Sequence, residues 1–270
     1  MAVQNISHPN HPLVVWITGA SSGIGEALAY VYAQKGCQLI LSGRNVEALE
    51  RVKTQCKTQD VAVLPFDLAH YEHAGNWVQQ ALDFFGRLDL VILNGGVSQR
   101  SLINETEISV YERLIQVDYL SNVALAKAVL PYFVKQKSGH FAVTTSVMGK
   151  FGSPYRSGYC GAKHALHGFF DVLRMEHEKD GVFVTLICPG FIKTNASRNA
   201  LTSNGTPQNF DDPATVNGIT TEILAQKFIA AIEKKKFEVC IGGKKEILGV
   251  YLKRFFPKLL HRVVLKSQVK

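Results

Sequence analysis

Residues 13–25 read LVVWITGASSGIG, and this stretch decides the fold. An apolar run ends at Thr18, Gly19 turns the chain, and Gly23 and Gly25 open a helical pattern. Without Cβ atoms, glycines let backbone N–H groups approach a phosphate, and a helix N-terminus favours negative charge. Gly19, Ser21, Ser22, Gly23, Ile24 and Gly25 therefore read as a cradle for a pyrophosphate. Their spacing, Gly-x3-Gly-x-Gly, differs from the commoner G-x-G-x-x-G pattern. A tight strand-to-helix turn with no ligand would use similar residues, but the position directly after a first strand favours binding.

Working outward, apolar runs at residues 38–42, 61–66, 88–94, 139–146 and 182–188 read as buried parallel strands. Helical patterns at 25–34, 46–56, 71–85, 110–134 and 159–179 lie between them, and a helix at 222–234 and a strand at 237–241 follow. This alternation implies a single-domain α/β fold of Rossmann type: a doubly wound, seven-stranded parallel sheet with helices on both faces. The domain is expected over residues 1–245, followed by a basic amphipathic helical tail over 246–270. Residues 190–218 form a long, weakly periodic stretch rich in Asn, Ser, Thr, Gly and Pro, expected as a substrate loop.

Composition narrows the function classes. With 270 residues and 46% hydrophobic content, the chain can bury a large core, and no run suggests a membrane span. The first twelve residues are polar, so no signal peptide is expected. Five scattered cysteines form no CxxC pair and nine histidines no HExxH spacing, so neither a disulfide framework nor a metal site is expected, and a reducing, cytoplasmic setting is. Residues 1–232 balance 19 basic against 19 acidic residues, while residues 233–270 carry 11 against 3. Charge concentrated in one tail, not over a face, argues against nucleic-acid binding.

The ends of successive strands carry the remaining cofactor signals. Arg44 follows the second strand, where a ribose hydroxyl would favour a carboxylate and a 2′-phosphate an arginine; NADP(H) is thus preferred, with NAD(H) the alternative. Asp67 and Leu68 end the third strand, where the carboxylate could accept from an adenine amino group. Asn94 and Gly95, with Gly96, end the fourth, beside the adenine ribose.

Tyr159 and Lys163 lie one helical turn apart, and Ser146 ends the fifth strand. A neighbouring ammonium favours phenolate, so Tyr159 is expected to be unusually acidic. Ser146 could orient a substrate carbonyl, and Lys163 could also hold the nicotinamide ribose. Together with the glycine turn, these residues read as hydride transfer coupled to proton transfer.

With these motifs, and with Pro189-Gly190 followed by Thr194, the chain resembles the short-chain dehydrogenase/reductase family over about residues 13–242. The resemblance implies Tyr159 as general acid, Ser146 polarising the carbonyl, and Pro189, Gly190, Ile192 and Thr194 running past the nicotinamide. It also implies a homodimer or homotetramer built on the helices at 110–134 and 159–179. Two positions depart from the family pattern. Its Asn-Asn-Ala-Gly turn reads Leu93-Asn94-Gly95-Gly96, and its relay asparagine, which helps hold a helix kink and a water, is Asp118. An ionised carboxylate only accepts hydrogen bonds, so retained but retuned activity is expected.

In the tail, Leu248, Tyr251, Leu252, Phe255, Leu259 and Val263 recur at helical spacing among basic residues, with Pro257 as a break. Such a segment suits an anionic membrane surface or packing on its own chain or a second subunit. The tail and residues 170–174 resemble the membrane-associated member 7/7B branch of the family. That branch implies a small hydrophobic, lipid-, steroid- or retinoid-like carbonyl or alcohol as substrate, and a peripheral membrane location. A weakly active nucleotide-binding scaffold is the alternative, supported by Asp118.

Overall fold

The computed structural model describes residues 11–266; the readings made on residues 1–10 and 267–270 lie outside the described residues. Strands β1 (Val14–Thr18), β2 (Gln38–Ser42), β3 (Val61–Val63), β4 (Leu90–Leu93), β5 (Gly139–Thr144), β6 (Val182–Pro189) and β7 (Glu238–Ile241) form one sheet. Their order is β3-β2-β1-β4-β5-β6-β7, and every pairing is parallel. Parallel neighbours need long crossovers, supplied by α1 (Gly23–Gln34), α2 (Val46–Gln55), α3 (Ala74–Phe85), α4 (Ile108–Ile115), α5 (Ser121–Gln136), α6 (Ser157–His177), α7 (Pro213–Val216) and α8 (Thr221–Glu233). Two further helices, α9 (Lys244–Phe255) and α10 (Pro257–Lys266), complete the described chain.

Strand residues alternate between two apolar layers, which is why the runs read as continuously hydrophobic. Val15, Ile17, Leu39 and Leu41 pack with Leu28 of α1 and Phe228 of α8. Trp16, Ile40, Val91 and Phe141 pack with Trp77 of α3, Phe133 of α5 and Phe170 of α6. Each fully buried large side chain contributes about 1.5–3 kcal/mol relative to exposure. Strand order reverses direction at the β1–β4 neighbours, so the crossovers diverge there and open a crevice at the strands' C-terminal ends.

Three segments differ from the sequence pattern. The helix expected at 71–85 is entered through a 3-10 turn, Leu68–His73, capped by the Asp67 carboxylate, which accepts from Ala69 N at 3.0 Å. The helix expected at 110–134 is interrupted by a π turn, Gln116–Leu120, with buried Asp118 at its centre. Such a bulge widens the ladder and often marks a functional position. The substrate loop is pinned to the β4–α4 connection: Leu201 N donates to Ser98 O and Arg100 N to Leu201 O, both at 2.8 Å. Buried Asp212 then receives Arg100 at 2.6 Å and Arg156 at 3.3 Å.

Pro257 starts α10, where its missing N–H costs nothing. One face of the tail packs on the protein: Val250, Leu252, Leu260 and Val264 meet Val147, Met148, Phe151, Tyr159 and Cys160. Of the apolar stripe expected from spacing, only Leu252 faces inward. Leu248, Tyr251, Phe255, Leu259 and Val263 are exposed, joined by Phe256 and Leu265.

Candidate active site

A cleft of about 1160 Å³ lies at the crevice. Its wall begins at the turn after β1. Gly19 has φ +65°, and a Cβ there would stand 2.7 Å from Gly95 Cα, so the β1 and β4 turns touch backbone to backbone. Thr18 Oγ1 accepts from Asn94 N at 3.0 Å and Gly95 N at 3.1 Å, while Asn94 Nδ2 donates to Thr18 O at 3.2 Å. Asn94 Oδ1 in turn accepts from Thr144 Oγ1 at 3.2 Å. Asn94 thus joins three strand ends while lining the cleft.

Ser21, Ser22, Gly23 and Ile24 continue the wall, and the Ser22 side chain makes no capping bond, so the first N–H groups of α1 are not taken up by a side-chain cap. Gly25 stands behind the wall, because a Cβ there would meet Gly19 O at 2.2 Å; it lets α1 start tight against the turn. Arg44, exposed and without an ion-pair partner among the described residues, stands at the end of β2 on the same cleft. Asp67 and Leu68 line it too. Asp67 also receives Arg113 at 3.1 Å, a neighbour that no local motif marks. Burial raises the Asp67 carboxyl, yet the Ala69 N–H and the Arg113 guanidinium outweigh it and hold it below the usual range.

At the far end, Tyr159, Lys163 and Asp118 line the cleft together. Lys163 Nζ donates to Thr144 O at 3.1 Å, lies 3.7 Å from Asp118 Oδ1, and stands 5.7 Å from the Tyr159 ring centroid. Asp118 is fully buried; its Oδ1 accepts from Val97 N at 2.9 Å, and its Oδ2 has no partner. Burial pushes the Asp118 carboxyl up to about 6 against the pull of Lys163. The Tyr159 phenol departs from the sequence expectation. Burial raises it above its ordinary value, Lys163 lowers it as expected but does not prevail, and Asp118 raises it further.

Ser146 sits just behind the wall, where its Oγ accepts from Met148 N at 3.0 Å and faces Pro189 O at 3.4 Å. Thr194 lies on the wall above Gly23. Pro189, Gly190 and Ile192 do not line the cleft: Gly190 N donates to Ile241 O, and Ile192 is buried in the core. Loop residues that sequence reading did not single out, among them Asn195, Leu201 and Pro207, close the cleft from above. Their roles depend on the loop's path, which no spacing encodes.

A glycine turn that Cβ atoms would fill, open N–H groups and an unpaired arginine fit a dinucleotide phosphate, and the lysine–tyrosine end fits its redox ring. The class is therefore a nicotinamide-dinucleotide oxidoreductase fold. The sequence profile of the short chain dehydrogenase family matches residues 13–205, and the chain belongs to that family. It is 38% identical over 252 residues to the human Dehydrogenase/reductase SDR family member 7, covering 91% of this chain and 74% of that one. It is 38% identical over 259 residues to member 7B of Bos taurus, covering 93% and 80% respectively. Among solved structures, the alcohol dehydrogenase of Thermococcus sibiricus complexed with 5-hydroxy-NADP aligns with a TM-score of 0.74 and 25% identity, covering 87% of this chain and 97% of that one.

The raised Asp118 carboxyl makes a stability prediction. The folded state favours the protonated form, so the advantage is complete below the unfolded value near ~3.9 and is lost as pH rises through about 6. Two units correspond to about 3 kcal/mol. Asp118→Asn should therefore gain about 3 kcal/mol relative to the parent between pH 4 and pH 7.5 in urea unfolding. An equal difference at both pH values would contradict this.

Proposed function

We propose that the protein interconverts a carbonyl and an alcohol on a small hydrophobic substrate with NADP(H), Tyr159 exchanging the proton. The observation that carries this is the shared cleft: Tyr159 and Lys163 open onto the same space as the glycine turn and Arg44. The glycine turn and Arg44 would hold the dinucleotide, which would supply or accept the hydride when bound. Tyr159 gives its phenolic proton to the carbonyl oxygen in reduction and takes one in oxidation. Ser146, fixed by Met148 N, orients that oxygen from behind. Lys163, held by Thr144 O and Asp118, offers its charge to the phenol and its remaining protons to ribose hydroxyls. Asp118 keeps the ammonium in place but opposes ionisation of the phenol, which retunes the reaction without removing it. Tyr159→Phe should lower kcat/KM by about a thousandfold with NADPH affinity unchanged, measured on a panel of aromatic and lipid ketones. Full turnover in that variant refutes the assignment, and NADPH binding without oxidation by the parent favours the scaffold reading instead.

Arg44 supports the choice of NADP(H), as an exposed guanidinium on the cleft that forms no ion pair among the described residues, the nearby Asp67 carboxylate being taken up by Arg113. Arg44→Ala should weaken NADPH binding on the order of tenfold to a hundredfold and leave NADH binding nearly unchanged. Equal losses for both cofactors would overturn the preference.

The outer face of the tail supports a peripheral site on anionic membranes. Residues 244–266 hold seven basic residues and one acidic residue, beside the exposed apolar side chains of α9 and α10. No described helix is long and apolar enough to cross a membrane. Self-association is proposed through α5 and α6, where Tyr132, Val172 and Met175 are exposed. In sedimentation with phosphatidylserine vesicles the protein should pellet at low salt, and the triple variant K253E, R254E and K258E should not. Co-sedimentation of that variant at parental levels would remove the membrane role.

A further inference from the structure

The strap over the cleft and the first turn of α6 are fastened to one another through residues that do not line the cleft. Residues 199–207 of the substrate loop reach across the opening to the start of α4, where Glu107 N donates to Ser203 O at 2.9 Å. Leu201 fastens the strap midway through its backbone bonds with Ser98 and Arg100. Gln99, between those two and fully buried, reaches the other way: its Oε1 accepts from Gly158 N at 2.8 Å. Arg156, at the N-cap of α6, makes no side-chain capping bond, so Gln99 supplies the cap from another element. Ser101 N donates to Tyr155 O at 3.1 Å. Tyr155 has φ +66°, a left-handed conformation that a bulky residue keeps only where its surroundings impose it. Tyr159 is the third residue of the helix that starts here.

Further along the loop, Asp212 closes the same connection. Its Oδ2 accepts from Arg100 Nε at 2.7 Å and Arg156 Nη2 at 3.3 Å, and its Oδ1 accepts from Gln208 Nε2 at 3.0 Å. All three charged side chains are buried. Burial raises the Asp212 carboxyl, but Arg100 and Gln208 outweigh it and hold it below the usual range. A buried charge stripped of its partner is costly, so this clasp holds as a unit or releases as one. We propose that Gln99 and Asp212 are positioning residues for Tyr159: they lock the strap and the entry of α6 together, so that the phenol is aligned only while the strap is closed. The inference rests on Tyr159 being the proton donor of the proposed reaction. A misplacement of about 1 Å at a reacting group can cost on the order of a hundredfold in rate. Gly158, which Gln99 caps, is the residue before the phenol, and Arg156, which Asp212 holds, stands three residues before it. Proton transfer is thereby made conditional on closure over the substrate. No sequence spacing marks the group, since its members come from the β4–α4 connection, the entry of α6 and the substrate loop.

The test is a double-mutant cycle with Tyr159→Phe, read by single-turnover NADPH oxidation with a ketone that the parent reduces. Asp212→Asn and Gln99→Met should each lower the rate about tenfold to a hundredfold when Tyr159 is present. In the Tyr159→Phe background each should change the residual rate less than about twofold, because the group they position is gone. Binding of one NADPH per chain, followed by fluorescence, establishes that each variant is folded. Gln99→Met keeps the side chain's length and neutrality, and carries the test alone if Asp212→Asn does not fold. Parental rates in the folded variants, or the same factor lost in both backgrounds, overturn the positioning role. Full turnover in Tyr159→Phe alone refutes the proton donor itself, a result separate from these ratios.

Discussion

Everything at the cleft depends on two chain turns touching with nothing between them. Gly19 and Gly95 meet backbone to backbone at the point where the sheet reverses its winding, and Thr18 with Asn94 fixes that contact through hydrogen bonds. A side chain at Gly19 would push the β1 and β4 ends apart, and a Cβ at Gly95 would stand 2.5 Å from Leu68 Cδ1. The first turn of α1 would then lose its position relative to Asn94 and, through Thr144, to Lys163. The phosphate end and the chemical end are thus set by one contact at the middle of the sheet.

The charged group at the chemical end is unusual in its economy. One ammonium is shared between a backbone carbonyl and a carboxylate that keeps an unpartnered oxygen in a fully buried place. An interior carboxylate is costly unless paired and hydrogen-bonded, and a 3.7 Å pairing only partly offsets that cost. The widened π turn creates the place for it. Both the phenol and the carboxylate therefore lean toward their neutral forms.

Much of the architecture was legible in the sequence, because buried parallel strands and their crossover helices leave strong periodic signals. Gln38–Ser42 is the plainest case. The glycine turn, Tyr159 and Lys163 were legible because their chemistry requires particular residues at short spacing. What escaped was whatever depends on tertiary geometry. Arg113 reaches Asp67 from another helix, and the acidity of Tyr159 turns on how deeply it is buried. Val250, Leu260 and Val264, outside the spaced stripe, join Leu252 in facing inward because α10 folds back against the turn after Ser146.

That last arrangement gives the end of the described chain a part in shaping the cleft. Val250, Leu252, Leu260 and Val264 brace the helix start that holds Tyr159 and the turn that fixes Ser146. Anything that pulls on the outer surface of α9 and α10 therefore strains the floor under the proton donor. Binding at the periphery and the setting of a hydroxyl in the interior share one mechanical linkage, so the tail can act as a lever as well as an attachment.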